Sequence, residues 1–313
     1  MTPVTVIGNV NADLVMGPLL PWPVPGTEVV LPDGGLRVGG AAGNTALALA
    51  GLGHPHRLVA SRGGDVLGRW LAEKFGAAAA GWSVSDGPTT ISVGITHPDG
   101  ERTFFTAPGH LDGFCLDDVL AQLPATAAPG EIALLIGAFV SPRLLERHDE
   151  LIDVLAARGF AVALDTGWPT DGWTAATRAT VQSWLARTTH LLLNEAEAMA
   201  LSGAVSPAAA AAAALRTSLA PGGAAVVKRG VRGALLAGPG GLHEAPAPVV
   251  EVVDTIGAGD CFNAGYLATI ATGGSLPEAL AAGVAVASAA ISTRPRSYRG
   301  AALTWAGRAG GGG

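Results

Sequence analysis

The sequence predicts an α/β protein in which a mostly parallel sheet is covered by helices on both faces. Helical stretches alternate along the chain with strand-like apolar runs at Val4 to Ile7, Ile132 to Ile136, Ala161 to Leu164, His190 to Leu193 and Ala224 to Val227. Such alternation is typical of parallel sheets between two helix layers, which gives a three-layer α/β/α sandwich.

The turns that follow these predicted strands are candidate binding positions. They are polar or contain glycine, and they comprise Gly8-Asn9, Gly137, Asp165, Asn194 and the segment that starts at Lys228. Because ligands of open α/β sheets bind beyond the carboxyl ends of the strands, we expect the functional site at this edge.

Two segments interrupt the alternation. Leu14 to Val38 is rich in Pro and Gly, and Thr89 to Thr106 predicts a hairpin that turns at Asp99-Gly100. We expect the two segments to form a structural unit of their own. If they were instead two ordinary surface loops, the apolar residues of the second segment would be left without cover.

The segment Asp254 to Gly265, DTIGAGDCFNAG, predicts a helix start that can bind an anion. The β-branched residues from Val249 to Val253 predict a strand before it, and the apolar spacing after it predicts a helix that begins near Gly257-Ala258-Gly259. Free N–H groups and the helix dipole favour a phosphate there, while Asp260 is a candidate base for a hydroxyl. The simpler interpretation is that Asp260 only caps the helix.

Two common phosphate-binding motifs are excluded. Phe262 stands where a dinucleotide-binding fingerprint requires its third glycine, and the chain has no GxxxxGK[ST] segment.

Composition indicates a compact cytoplasmic protein with a small-molecule substrate. The 313 residues carry a formal net charge of -6 without a cluster of Lys or Arg, which argues against a nucleic-acid partner. Cys115 and Cys261 lie far apart, no signal peptide is evident, and the alanine-rich stretch Ala208 to Ala214 is too short to span a membrane. We expect one domain over residues 1–313, with Gly310 to Gly313 as a flexible tail.

With these motifs in place, the chain resembles the PfkB family of carbohydrate kinases, which includes ribokinase. Besides the 254–265 segment, the resemblance rests on four features in the family's order, namely an opening strand and turn at Val6 to Asp13, GGxxxN at Gly39 to Asn44, NxxE at Asn194 to Glu197, and a TxGxxG-like turn at Lys228 to Gly233. It implies a ribokinase-like fold whose small β-sheet lid is formed by about residues 14–38 and 89–106.

The resemblance also implies roles for individual residues. Asp260 is the catalytic base, and the backbone N–H groups of Gly257, Ala258 and Gly259 stabilise the transferred phosphoryl group. The substrate-binding candidates, besides Asp260 itself, are Asn11, Asp13, Gly39, Gly40, Asn44, Arg102 and Phe139. The ATP-binding candidates are Asn194, Lys228, Gly230, Gly233, Thr255, Gly257 and Gly259.

Two metal sites follow from the same resemblance. Glu197 and Asn194 would help to place Mg²⁺, mainly through water, because magnesium keeps much of its hydration. A helix cap is the alternative role for this pair. Asp254 and Ile256 would contribute to a monovalent cation site for K⁺. Asp165 would support the metal or the phosphates, or simply form a turn.

Departures from the family pattern limit the identity of the substrate. Ala41 stands where ribokinases carry lysine, and Gly137-Ala138-Phe139 lacks the glutamate that those enzymes offer the sugar. Phe139 and Trp22 would stack on a ligand or serve in packing. The expected function is an ATP-dependent kinase that phosphorylates a primary hydroxyl of a small sugar. The alternatives are a nucleoside kinase and a non-catalytic binding protein. We also expect a homodimer formed through the lid.

Overall fold

The computed structural model describes residues 1–98, 102–204 and 207–299, so the predicted turn at Asp99-Gly100 and the predicted tail from Gly310 to Gly313 lie outside the described residues. The strands are β1 Val4–Gly8, β2 Asn11–Gly17, β3 Asp33–Gly39, β4 His56–Val59, β5 Ser61–Gly63, β6 Ser83–Ser85, β7 Ile91–Thr96, β8 Arg102–Ala107, β9 Ile132–Ile136, β10 Ala161–Asp165, β11 His190–Asn194, β12 Ala224–Lys228, β13 Ala234–Gly238 and β14 Gly241–Ala245. The α-helices are α1 Ala41–Leu52, α2 Val66–Phe75, α3 Leu116–Gln122, α4 Pro142–Leu145, α5 His148–Ala157, α6 Ala175–Leu185, α7 Glu195–Ser202, α8 Ala208–Arg216, α9 Ala258–Ala271 and α10 Leu276–Ile291.

The central sheet has eight strands in the order β14-β13-β12-β11-β10-β9-β1-β4. Its strands from β12 to β4 are parallel, and β13 and β14 extend it antiparallel at one edge. All five predicted strand runs are confirmed, as β1, β9, β10, β11 and β12. Their carboxyl ends therefore meet at one edge of the sheet.

Both faces of this sheet are buried, which explains why its strands read as continuous apolar runs. In β9, Leu134 faces the cluster formed with α1, α9 and α10, while its neighbours Ala133 and Leu135 face the cluster formed with α3, α5, α6, α7 and α8. Successive strand side chains point to opposite faces, so each face needs its own helix layer. The predicted three-layer α/β/α arrangement is confirmed.

A second, four-stranded sheet has the order β3-β2-β7-β8. The predicted hairpin is confirmed as β7 paired antiparallel with β8, and the 14–38 segment supplies most of β2 and β3. Asn11 begins β2, so Asn11 and Asp13 lie in a strand of this sheet. Phe104 and Phe105 remain 42% and 53% exposed, which leaves part of this sheet's apolar surface uncovered.

The strand predicted from Val249 to Val253 is absent, which corrects the sequence prediction. Val249 is fully exposed, and the segment pairs with no strand in the part of the chain that the structure describes. The sheet already ends at β14, and the Val253 N–H instead donates to the Ile291 carbonyl at 2.7 Å. β-branched residues favour extended backbone, but a strand also requires a partner edge. The predicted helix start was right, since α9 begins at Ala258.

The alanine-rich stretch forms α8, packed on β12 and β13. Among the helices of the described ranges, none combines the length and apolar character needed to cross a membrane.

Candidate active site

The start of α9 presents unpaired backbone donors. Gly257 precedes the helix with φ of 74°, in the left-handed region that favours glycine. Within the described residues, the N–H groups of Gly257 and Gly259 meet no hydrogen-bond acceptor, whereas the Ala258 N–H donates to the Thr255 carbonyl at 3.2 Å. Two of the three predicted anion-binding donors are thus free in this conformation.

Asp260 lies in the first turn of α9 and is partly exposed. Its Oδ2 accepts a hydrogen bond from Asn44 Nδ2 at 2.9 Å. Burial raises the pKa of Asp260 to about 7 and the Asp165 carboxylate adds to the shift, while the Asn44 hydrogen bond opposes it. A carboxylate with such a pKa is well matched to accept a proton at neutral pH.

Lys228 connects two strand ends to α9. Its Nζ lies 2.7 Å from Asp165 Oδ2 and 3.3 Å from Asn263 Oδ1. Asn263 Nδ2 in turn donates to Asp165 Oδ2 at 2.6 Å. Burial alone would lower the pKa of Lys228, but Asp165 and Glu197 raise it above its ordinary value. The ammonium therefore stays charged, about 3.4 Å from where a side chain on Gly259 would begin.

Asn194 and Glu197 form a reciprocal cap at the start of α7. Glu197 N–H donates to Asn194 Oδ1 at 2.8 Å, and Asn194 N–H donates to Glu197 Oε2 at 2.9 Å. This is the capping role that the sequence left open for the pair. Glu197 is only 4% exposed, and burial together with Asp165 raises its pKa to about 7. Its electrostatic coupling to Asp165 and Lys228 joins the cap to the cluster at the strand ends.

Asn11, Asp13 and the two glycines before α1 form a buried polar group. Asn11 Nδ2 donates to Asp13 Oδ1 at 2.6 Å, and a Cβ on Gly39 would lie 2.0 Å from Asp13 Cγ. The Asp13 carboxylate therefore lies directly over Gly39. Burial raises the pKa of Asp13 to about 6, against the opposing charge of Arg37.

The helix α1 links this polar group to Asp260. Gly40, with φ of 83°, is the residue that precedes α1, and Asn44 in its first turn contacts Asp260. The backbone conformation at Gly40 excludes a side chain, and a Cβ there would lie only 2.5 Å from Asn11 Oδ1. The structure therefore links this polar group to the predicted base through one helix.

The loop before α9 is held by arginines that the sequence analysis did not assign to it. Asp254 Oδ2 accepts from Arg37 Nη1 at 2.5 Å and from Arg296 Nη2 at 2.9 Å, and its Oδ1 accepts from the Ile256 N–H at 2.9 Å. Burial would raise the pKa of Asp254, but these contacts hold it below its ordinary value. Both carboxylate oxygens of Asp254 thus accept from protein donors, and two of these donors are cationic, which does not fit the expected monovalent cation site.

Arg102 contacts the same loop from the small sheet, where its guanidinium donates to Thr255 Oγ1. In this conformation these two residues, each predicted to bind a ligand, contact one another. Together with Arg37 on β3, Arg102 on β8 ties the small sheet to the loop before α9.

Of the remaining candidates, two lie in a turn and one is a partly buried residue that packs against the core. Gly230 and Gly233 bound the turn after β12, where a Cβ on Gly233 would meet the Ala245 carbonyl at 2.0 Å. Phe139 packs against Trp173 and Trp184, with ring centroids 6.3 Å apart in both pairs. Its contacts are those of a packing residue, which was the alternative to ligand stacking.

Trp22, the other residue considered for ligand stacking, also contacts protein side chains. Its ring lies 6.0 Å from those of His97 and Phe105. It is therefore part of the surface of the small sheet.

Three site residues, Asn263, Arg37 and Arg296, were missed by the sequence analysis. Asn263 follows Asp260 by three positions, so helical spacing alone could have placed both on one face of α9. Arg37 pairs opposite Asp13 between β2 and β3, a register that the sequence did not predict. No local sequence pattern pointed to Arg296.

Comparisons with known proteins agree with this fold and these motifs. The family model described as pfkB family carbohydrate kinase matches residues 1–297. The chain is 31% identical over 310 residues to the bifunctional protein HldE of Pseudomonas fluorescens (strain SBW25), with 91% of this chain and 60% of that protein covered. The chain therefore spans less than two thirds of that relative's length.

Solved structures show the same ribokinase-like fold. Arabidopsis thaliana ribokinase complexed with ribose and ATP matches with a TM-score of 0.72 and 24% identity, over 94% of this chain and 93% of that one. A putative ribokinase II from E. coli in its apo form matches with a TM-score of 0.79 and 19% identity, over 96% of each chain. With a family model that covers nearly the whole sequence, the chain belongs to the pfkB family of carbohydrate kinases.

Proposed function

We propose that this protein is an ATP-dependent kinase that phosphorylates a primary hydroxyl of a small sugar or sugar derivative. The observation that carries the proposal is a carboxylate, Asp260, with a pKa of about 7, beside the free N–H groups of Gly257 and Gly259. The carboxylate accepts the hydroxyl proton, and the two donors stabilise negative charge on the transferred phosphoryl group.

The acceptor would be held by the polar group at the start of β2 and α1. Asp13, Asn11 and Asn44 offer carboxylate and amide groups that suit sugar hydroxyls, and Asn44 also orients the base. Gly39 and Gly40 keep this region free of additional side chains. The Arabidopsis ribokinase structure, which contains ribose and ATP, supports a pocket of this kind on the same fold.

The nucleotide would lie across the strand ends near Lys228, Gly230 and Gly233, with the Lys228 ammonium attracting its phosphates. Oxygen ligands suit Mg²⁺, and Asn194 and Glu197 are the pair that would hold it. Because one Glu197 oxygen serves the helix cap, this contribution would run through water. Bound Mg²⁺ would neutralise charge on the phosphates.

The test is ADP formation from ATP with ribose, fructose, 2-keto-3-deoxygluconate, adenosine and pseudouridine as acceptors, in wild type and Asp260→Asn. Turnover of one or more sugars, lost in the variant while ATP binding is kept, is the expected result. Turnover of a nucleoside alone would favour the nucleoside kinase. Equal inactivity of both proteins on every acceptor, with normal ATP binding, would favour a non-catalytic binding protein.

We further propose that the protein is a homodimer formed through the small sheet, whose edge strands are β3 and β8. Leu36 on β3 and Phe105 on β8 are 48% and 53% exposed, as expected of apolar residues that a second subunit covers. Sedimentation analysis of wild type and Phe105→Glu tests this proposal, with a dimer expected only for wild type. A wild-type monomer at micromolar concentration would contradict it.

A further inference from the structure

The loop from Asp254 to Gly257 is contacted by more positive charge than a monovalent cation site would tolerate. Asp254 offers one negative charge, and two guanidinium groups, from Arg37 and Arg296, already bind its Oδ2. A third guanidinium, from Arg102, lies on Thr255. A further cation entering this loop would meet net positive charge and a carboxylate whose two oxygens are engaged.

We propose that the guanidinium groups of Arg37 and Arg296 hold the loop before α9 in place of a monovalent cation. They occupy the carboxylate that such an ion would need, and they supply the charge that it would bring. The inference deepens the proposed kinase function and rests on it, because the loop leads directly into the donors at Gly257 and Gly259.

Arg296 is well placed to position these donors. Its Nη1 lies 3.4 Å from the point that a Cβ on Gly257 would occupy, and its side chain is only 21% exposed. The other end of the loop is fixed by backbone hydrogen bonds from Val253 and Asp254 to the Ile291 carbonyl. Arg296 is therefore a positioning residue that acts through the loop.

The chain offers a matched control two residues away. The Arg294 side chain is 76% exposed, and its Nη2 lies 3.6 Å from Asp33 Oδ2, away from the contacts that hold the loop before α9. The experiment compares wild type, Arg296→Gln and Arg294→Gln in potassium chloride and in tetramethylammonium chloride at equal ionic strength. Tm is measured without substrates, and kcat and KM are measured with the best acceptor.

For wild type, Tm and kcat should be the same in the two salts, and the same should hold for Arg294→Gln. Arg296→Gln should lose between about tenfold and a hundredfold in kcat with little change in KM, because displaced donors act mainly on the transition state. Potassium or added guanidinium ion should restore part of its Tm and kcat. Arg296→Lys, which keeps the charge, should behave as wild type and serves if the Gln variant does not fold.

A saturable rise of several degrees in the wild-type Tm with potassium over tetramethylammonium would overturn the proposal, because it would show that the ion binds the folded protein. Equal behaviour of Arg296→Gln and Arg294→Gln would also overturn it. The Tm comparison needs no acceptor, so its result stands even if no tested compound is phosphorylated. Failure of the kinase proposal is thereby distinguished from failure of this one.

Discussion

Replacing Asp260 with Asn separates the reactivity of this carboxylate from its effect on stability. Its ordinary pKa of 3.8 is raised to about 7 in the folded protein. At about 1.4 kcal/mol for each tenfold change in proton affinity, ionising this group in the fold costs about 4 kcal/mol more than in the unfolded chain. Because the side chain is partly exposed and solvent screens its charge, we expect this cost to be about 2 to 4 kcal/mol.

The sign of this effect follows from the raised pKa. The folded protein binds the proton more tightly than the unfolded chain, so the wild type loses stability as pH rises from about 4 to about 7. The amide of Asp260→Asn is neutral throughout and can still accept the Asn44 hydrogen bond. At about pH 8 the variant should therefore be more stable than wild type by about 2 to 4 kcal/mol, with the difference vanishing toward pH 4.

Urea unfolding followed by tryptophan fluorescence at several pH values measures this difference. Asp171→Asn, in an exposed loop, is the control, and its stability difference from wild type should not change with pH in this way. The same Asp260 variant should lose about a hundredfold or more in turnover. A variant no more stable than wild type at high pH would refute the account of a desolvated carboxylate, and turnover within tenfold of wild type would refute its role as the base.

Three further predictions concern the same site. The wild-type kcat/KM should fall about tenfold per pH unit below an apparent pKa of about 7, as Asp260 becomes protonated, and a flat pH–rate profile would contradict this. In Gly39→Ala the new Cβ would displace Asp13, so the acceptor KM should rise about tenfold or more in steady-state assays while the ATP KM stays constant. Asn194→Ala should lower the free energy of unfolding by about 1 kcal/mol, because the Glu197 N–H loses its acceptor Asn194 Oδ1. A Mg²⁺ titration of the activity should show a higher half-maximal concentration.

The sequence predicted five of the six parallel strands of the central sheet, because burial on both faces imposes continuous apolar runs on such strands. It failed from Val249 to Val253, where the residue types favour a strand but the segment lies exposed and pairs with no strand of the described ranges. Local composition reports backbone preference, whereas strand formation also depends on a partner elsewhere in the chain.

For the candidate site, the sequence by itself determined the order of the motifs, the strand ends that carry them, and the place of Asp260 in the first turn of α9. Only the tertiary structure decided what surrounds that carboxylate, because Asn44 lies 216 residues away in the chain and Asp165 lies at the end of β10. It alone also decided that Asp254 binds Arg37 and Arg296 instead of remaining open to an ion. The physical reason is that motif spacing is set by local backbone geometry, whereas burial and charge depend on which distant segments pack together.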